Sequence, residues 1–343
     1  MKKNIEETLQ KIKKAARGRA TAFVIGNTSD LFARGRYYET PVRETSELIY
    51  GGVIVRDVAT SRAVARLVDG KTDYIFVDDE KKIRKIYYGT NDAGNIEKAV
   101  RGVIKKSTLL AYKGNDLTVE AVDALVCNLA GEVSGTRVAV IGMGNFGSKV
   151  ALKLVERGMH VAVYRRDKTA LRVISDGLNR IRSKDTISKV TPAQSIAAAC
   201  RGAQIVIGVT NEKGVITKDM LRNAAPSAML IDAGKGCFAE DVVSDPSRLI
   251  YRVDVSIMQK YIFQGLIRTH AYMSKHLGRR YVPEIGVTLI SAGLLGRKGE
   301  VIVDDIARPS AVIGISAGGG VLERATPKIQ KQIDRVKKFI KSR

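Results

Sequence analysis

The chain has 343 residues, 45% of them hydrophobic, and 58 Lys and Arg against 35 Asp and Glu give a formal charge of +23. That length suits two globular domains, and no apolar run approaches the roughly 18 to 20 residues of a membrane span. The start lacks the apolar core of a secretory signal. Cys127, Cys200 and Cys237 are too few and too scattered for a disulfide framework or a zinc cluster, so a reducing cytoplasm is the expected setting.

At the N-terminus, Ile5, Leu9, Ile12 and Ala16 recur at helical spacing, which predicts an amphipathic helix with its lysines in water. Three buried-strand candidates follow, Thr21 to Ile25, Gly52 to Val55 and Tyr74 to Val77, with a helix-like segment from Ser61 to Val68. Strands alternating with helices imply a small parallel sheet. The polar, aromatic and basic stretch from Asn27 to Tyr50 is too long for a plain turn and is expected to be a functional loop or short helix. Its Arg34, Arg36 and Arg43 are candidates to clamp a substrate carboxylate.

The first domain is expected to run over residues 1–113 and to carry the substrate side of the site. Lys113 and Asp116 stand three residues apart at the entrance of a helix predicted over Thr118 to Ala130, so both can face one cleft. A desolvated lysine there would have a lowered pKa and could exchange a substrate proton. Alternatively, Asp116 caps the helix and Lys113 is solvated.

After Arg137, an uninterrupted apolar run from Val138 to Ile141 suits a strand buried on both faces. Gly142, Gly144 and Gly147 follow at the spacing of the dinucleotide fingerprint, and a helix is predicted from Asn145 to Arg157. In that motif the first glycine turns the chain, the second lets backbone approach a pyrophosphate, and the third lets the helix lie on the sheet. The backbone at Asn145 and Phe146 would then aim N–H groups at the phosphates. The next strand ends in Tyr164, Arg165, Arg166, Asp167, Lys168 and Thr169, where an NAD-binding unit usually has an acid for the ribose. Guanidiniums suit a 2′-phosphate, so NADP is favoured over NAD. Arg165, Arg166 and Thr169 are the candidate contacts, and Asp167 is a ribose alternative.

Further strands are predicted over Gln204 to Val209, Ala228 to Ile231 and Leu249 to Val255. Thr210 and Asn211 end the first of these, and Lys235, flanked by Gly234 and Gly236, follows the second. Ligands of open α/β sheets gather at such carboxyl ends, making Thr210 and Asn211 cofactor candidates and Lys235 a catalytic one. A long helix is predicted from Ser256 to Leu277, then strand-like Glu300 to Val303 and Ala311 to Ile315. His160, His270 and His276 show no metal-ligand spacing, Asp304 and Asp305 are too few to claim a metal, and Gly318 to Gly320 reads as a flexible turn. Residues 114–325 are expected to form the dinucleotide-binding domain, and 326–343 a basic amphipathic helix carrying Ile329, Ile333, Val336 and Ile340.

The small α/β domain, connecting helix and central fingerprint resemble the shikimate dehydrogenase and methylene-tetrahydrofolate dehydrogenase group. Gly114-Asn115-Asp116 is similar to the Gly-x-Asn-Thr-Asp element of shikimate dehydrogenases, and the residues from Arg165 to Thr169 are similar to their Asn-Arg-Thr strand ending. The resemblance implies that Asp116 lies in a substrate cleft and that the arginines receive an NADP phosphate. The family's catalytic-lysine element and its paired serines have no counterpart here. A second likeness, through Thr118-Val119-Glu120, is to the first subunit of dipicolinate synthase.

The expected fold is α/β, a small α/β domain followed by a Rossmann-type doubly wound parallel sheet. The expected activity is that of an NADP-dependent oxidoreductase acting on a carbonyl or imine of a small, anionic molecule, with homodimerisation as the base-rate assembly. A non-redox dinucleotide-binding protein is one rival. A nucleic-acid or polyanion binder is another, suggested by the charge and disfavoured because aromatics are not interleaved with the basic residues.

Overall fold

The computed structural model describes residues 1–28, 37–80, 96–322 and 324–342. Helix α1 (Lys2–Ala16) leads into β1 (Ala20–Asn27), β2 (Tyr37–Glu44) and β3 (Leu48–Val55), then α2 (Val58–Val68), β4 (Tyr74–Asp78), α3 (Glu97–Arg101) and β5 (Thr108–Tyr112). These strands make one sheet in the order β2-β3-β1-β4-β5. All its pairs are parallel except β2 with β3. Helix α1 buries Ile5, Leu9 and Ile12 and leaves its lysines exposed, as its periodicity predicted. Asp57 caps α2, accepting from the backbone N–H of Thr60 at 2.6 Å.

Two strands of this sheet were not foreseen. Strand β2 lies within the segment expected to be a loop. It is an antiparallel edge strand, open on one side and largely exposed, so it has no apolar run to betray it. Strand β5 is only half-buried along most of its length, for the same reason.

Helix α4 (Gly114–Ala130) opens the second layer, followed by β6 (Arg137–Ile141), α5 (Asn145–Glu156), β7 (His160–Tyr164), α6 (Lys168–Ile181), β8 (Val190–Pro192), α7 (Ile196–Cys200), β9 (Ile205–Gly208), β10 (Met229–Asp232), α8 (Glu240–Val243) and β11 (Ile250–Arg252). The strand order is β11-β10-β9-β6-β7-β8, with every pair parallel. From β6 the chain winds first to one side through β7 and β8, then to the other through β9, β10 and β11. This is the doubly wound order of dinucleotide-binding sheets, and it opens a crevice at the carboxyl ends of β6 and β9.

Helices α4 and α5 are joined by a ladder of ion pairs. Lys149 meets Asp116 at 2.5 Å, Lys153 meets Glu120 at 2.8 Å, and Arg157 grips both oxygens of Asp123 at 2.7 Å. Asp123 is the buried rung, its side chain 7% exposed. Removing Arg157 would leave that carboxylate with Lys153, at 3.9 Å, and the weak thiol donor of Cys127, at 4.0 Å. Arg157→Ala is therefore expected to destabilise the chain by about 2 kcal/mol, less than the roughly 3 to 5 kcal/mol for breaking a fully buried pair because the arginine itself is half-exposed. Urea unfolding should show a lower midpoint at unchanged slope, and Lys153→Ala much less.

Helix α9 (Ser256–Lys275) carries the chain into β12 (Arg279–Val282), β13 (Val287–Ser291), β14 (Val301–Val303), β15 (Val312–Ile315) and α10 (Pro327–Lys341). Residues 1–262 and 263–343 form two compact units. In the second, β12 to β15 make a four-stranded sheet of their own, on whose core α10 packs Val336 and Phe339. The sequence placed 263–325 with the dinucleotide-binding sheet. Strand-like runs there were legible, but the sheet to which they belong was not, since pairing partners are a long-range property. Asp304 and Asp305 shape the loop after β14: Asp304 accepts from the backbone of Ser310 and Ala311, and Asp305 from that of Ala307 and Arg308.

Candidate functional site

Strand β6 ends at Ile141, and the chain turns through Gly142, Met143 and Gly144 into α5. The three glycines do three separate things. Gly142 has φ +119, in the region that favours glycine, and a Cβ there would stand 2.9 Å from the backbone of Val209. Gly147 lies so close beneath the turn that a Cβ would come within 1.8 Å of the Gly142 carbonyl oxygen. At Gly144 a Cβ would meet nothing within 4 Å. This exposed backbone faces a cavity of about 430 Å³ that Gly142 and Gly144 help to line. No side chain caps α5, so its first turn brings the partial positive charge of a helix start beside that space, although Asn145 and Phe146 are not themselves among the lining residues. Phe146 also packs its ring on the core of the parallel sheet.

The far side of the cavity is the end of β7. Arg165 folds back over the glycine turn and donates from a terminal nitrogen to the Met143 carbonyl at 2.8 Å. Arg166 reaches Glu212 at 2.6 Å. Tyr164, Arg165, Arg166, Thr210, Asn211 and Glu212 all line the space. Lys168 sits 4.1 Å from the centre of the Tyr164 ring and donates to the Gln194 carbonyl at 2.6 Å, which fixes the ring as a wall. Asp167 caps α6 by accepting from the Ala170 N–H at 2.9 Å. Thr169 stands exposed in the first turn of α6 and is not among the lining residues. Sequence reasoning missed Glu212 and Ile196 as lining residues. Glu212 follows Thr210 and Asn211 directly, but nothing in the order of residues says that its carboxylate reaches an arginine two strands away.

Lys113 and Asp116 do come together, 3.1 Å apart, at the join between β5 and α4. Asp116 lies inside the helix and is held between Lys113 and Lys149, so it is not the N-cap. The expectation of a lowered lysine pKa is reversed: the hydrogen bond from Lys113 to Asp116 raises it, and the lysine stays protonated. Burial pushes the Asp116 carboxyl up, but the two lysines outweigh it and hold the group below the usual carboxylate range. Lys235 is exposed in a loop folded around the Asp232 carboxylate, which accepts from the N–H groups of Gly234 at 3.1 Å and Gly236 at 2.8 Å.

Arg43 is set apart from Lys113. It pairs across the strands with Tyr50, which aligns with Ala22. That is five residues short of the carboxyl end of β1, roughly 16 Å along the strand. Arg43 instead borders a separate hollow with Lys260 and Ser256. Arg34 and Arg36 lie outside the described residues. Burial pushes the Cys200 thiol up to about 12 and Cys237 to about 11, so neither offers a thiolate at neutral pH. His276 pairs with Asp305 at 2.7 Å, and His160 begins β7 at its amino end. Among the described residues no cluster of acids, histidines or cysteines could hold a metal, and no helix is long and apolar enough to cross a membrane.

Residues 137–241 match the family described as the NAD binding domain of 6-phosphogluconate dehydrogenase. That stretch runs from the start of β6 into α8 and contains the whole glycine turn. No curated protein matches the sequence. Among solved structures, the ornithine carbamoyltransferase from Pyrococcus furiosus is 10% identical over 73% of this chain and 88% of that one, with a TM-score of 0.43. The A chain of dipicolinate synthase from Bacillus subtilis is 13% identical over 74% and 97%, at 0.38. The ornithine carbamoyltransferase from Gloeobacter violaceus is 16% identical over 73% and 87%, at 0.39. These three likenesses concern layout alone. The matched family, the strand order and the glycine turn identify residues 137–241 as part of an NAD(P)-binding domain of Rossmann type.

Proposed function

We propose that the chain is an NADP-dependent oxidoreductase that reversibly reduces a carbonyl or imine on a small carboxylated molecule. The observation that carries the reading is the glycine turn, with an open Gly144 and an uncapped α5 facing the same cavity as Arg165 and Arg166. Those residues fit a pyrophosphate at the helix start and a 2′-phosphate at the end of β7. The dinucleotide, when bound, supplies or accepts the hydride. Gly144, Asn145, Phe146 and Gly147 would hold its phosphates by their backbone, Arg165, Arg166 and Thr169 its adenosine end, and Thr210 and Asn211 the part crossing β9.

For the proton, Lys113 is the first choice and Lys235 the second. Asp116 keeps Lys113 charged, and Lys149 keeps Asp116 ionised. Lys113 would thus give its Nζ proton to the substrate oxygen or nitrogen during reduction and take it back during oxidation. Because its pKa is raised, the protonated form persists to higher pH than in an unpaired lysine. The reductive rate should therefore hold through neutrality and fall only in the alkaline range, and Lys113→Ala should remove that limb. The substrate carboxylate is assigned to Arg34 and Arg36, in the segment that follows β1, with Arg43 as a more distant candidate. The protein is expected to work in the cytoplasm as a homodimer, and sedimentation reads the assembly.

The test begins with calorimetric titration of NADPH and NADH, followed by NADPH oxidation in the presence of small 2-oxo acids and cyclic imino acids. Tighter NADPH binding and substrate-dependent oxidation are expected. Binding of neither dinucleotide would overturn the reading. Binding without turnover of any carbonyl or imine would replace it with a non-redox role.

A further inference from the structure

The ion pair between Arg166 and Glu212 joins two residues that line the cavity. Arg166 leaves the end of β7 and Glu212 leaves the end of β9, and in the sheet β6 lies between those strands. Glu212 is held at its backbone, since its N–H donates to Thr210 Oγ1 at 2.8 Å. Among the described residues lining the space its carboxylate is the only acid besides Asp167, and Asp167 is engaged as the cap of α6. The neighbouring cations are also engaged: Arg165 braces the Met143 carbonyl, and Lys168 is tied to the Gln194 carbonyl.

Arg166 is thus the cation whose partner can be exchanged. The pair is open to water, with side-chain exposures of 78% and 51%, and such pairs are weak enough to give way to a stronger anion. A guanidinium binds a phosphate through parallel N–H donors better than it binds one carboxylate oxygen. An anionic Glu212 beside the same site opposes that gain by competition and by like-charge repulsion.

Resting on the dinucleotide reading above, we propose that Glu212 is a specificity-determining residue that competes with the ribose 2′-phosphate for Arg166. A cofactor with a free 2′-hydroxyl leaves the pair intact. A 2′-phosphorylated cofactor must displace it. Glu212 therefore narrows the preference for NADP(H) that the arginines create.

The experiment is calorimetric titration of wild type, Glu212→Gln, Arg166→Ala and the double variant with NADPH and with NADH. Glutamine keeps the shape and the backbone bond to Thr210 while removing the charge. Glu212→Gln is expected to tighten NADPH binding about fivefold to tenfold, the range for removing one like charge beside a partly solvated phosphate, with NADH changed less than about twofold. In the Arg166→Ala background the same substitution should tighten NADPH binding by less than half as much on a logarithmic scale. Equal changes for both cofactors, or none, in a protein that binds dinucleotide would overturn the role of Glu212 and leave the dinucleotide reading standing. Failure of wild type to bind either cofactor would overturn both.

Discussion

Replacing Gly147 by alanine is expected to abolish dinucleotide binding and to lower stability by about 3 kcal/mol, the upper range for forcing a methyl group into a packed site. The added Cβ would sit 1.8 Å from the Gly142 carbonyl oxygen, a backbone atom that cannot turn away like a flexible side chain. The turn has no slack, because the Gly142 N–H donates to the Tyr164 carbonyl at 2.9 Å and Gly142 itself lies against the backbone of Val209. Helix α5 must therefore lift, taking its first turn out of line with the cavity. Gly144→Ala is the paired control. Its φ of −94 suits any residue and its Cβ meets nothing, so the unfolding midpoint should stay put. Binding should nevertheless fall about tenfold or more, since a methyl group would stand where backbone is expected to approach pyrophosphate. Urea unfolding and calorimetry on both variants separate the outcomes. Unchanged NADPH binding in Gly144→Ala would show that this turn is not the phosphate site.

The two adjacent arginines are expected to fail differently. Arg165→Ala removes the brace on the Met143 carbonyl, so NADPH and NADH should both bind about tenfold more weakly, with little discrimination between them. Arg166→Ala touches only the exposed pair with Glu212. It should weaken NADPH about tenfold, a charge-assisted contact's worth, and leave NADH nearly unchanged. A double replacement would confound a loosened turn with a lost phosphate contact, so the single variants are the informative ones. If Arg165→Ala proved selective for NADPH, the brace would be secondary and the side chain a direct phosphate ligand.

Much of the fold was legible where a local signal reports burial. The run from Val138 to Ile141 is apolar because β6 is covered on both faces there, and the stripe of Ile5, Leu9 and Ile12 is the buried face of α1. Fingerprint spacing located the turn because Gly142 and Gly147 each answer a steric demand of the strand–turn–helix geometry. Exposed edges hid themselves: β2, with Pro41 on its course, looks like loop because an edge strand has little apolar surface to show. Lys113 and Asp116 were legible as neighbours, being one helical turn apart, whereas the sign of the lysine's shift was not. That sign is decided by the direct bond to Asp116 at 3.1 Å outweighing desolvation, and how far a side chain is buried is not written in its neighbours.

By itself the sequence determined the α/β class, the positions of most helices and central strands, and the glycine turn between β6 and α5. These follow from periodicity and local sterics, which act over a few residues. Tertiary structure alone decided that Arg165 braces the glycine turn while Arg166 faces Glu212, that Arg43 stands apart from Lys113, and that β12 to β15 form a sheet of their own. Each of these depends on which distant strands lie side by side, and hydrogen-bonded pairing between strands leaves no signature in the local order of residues.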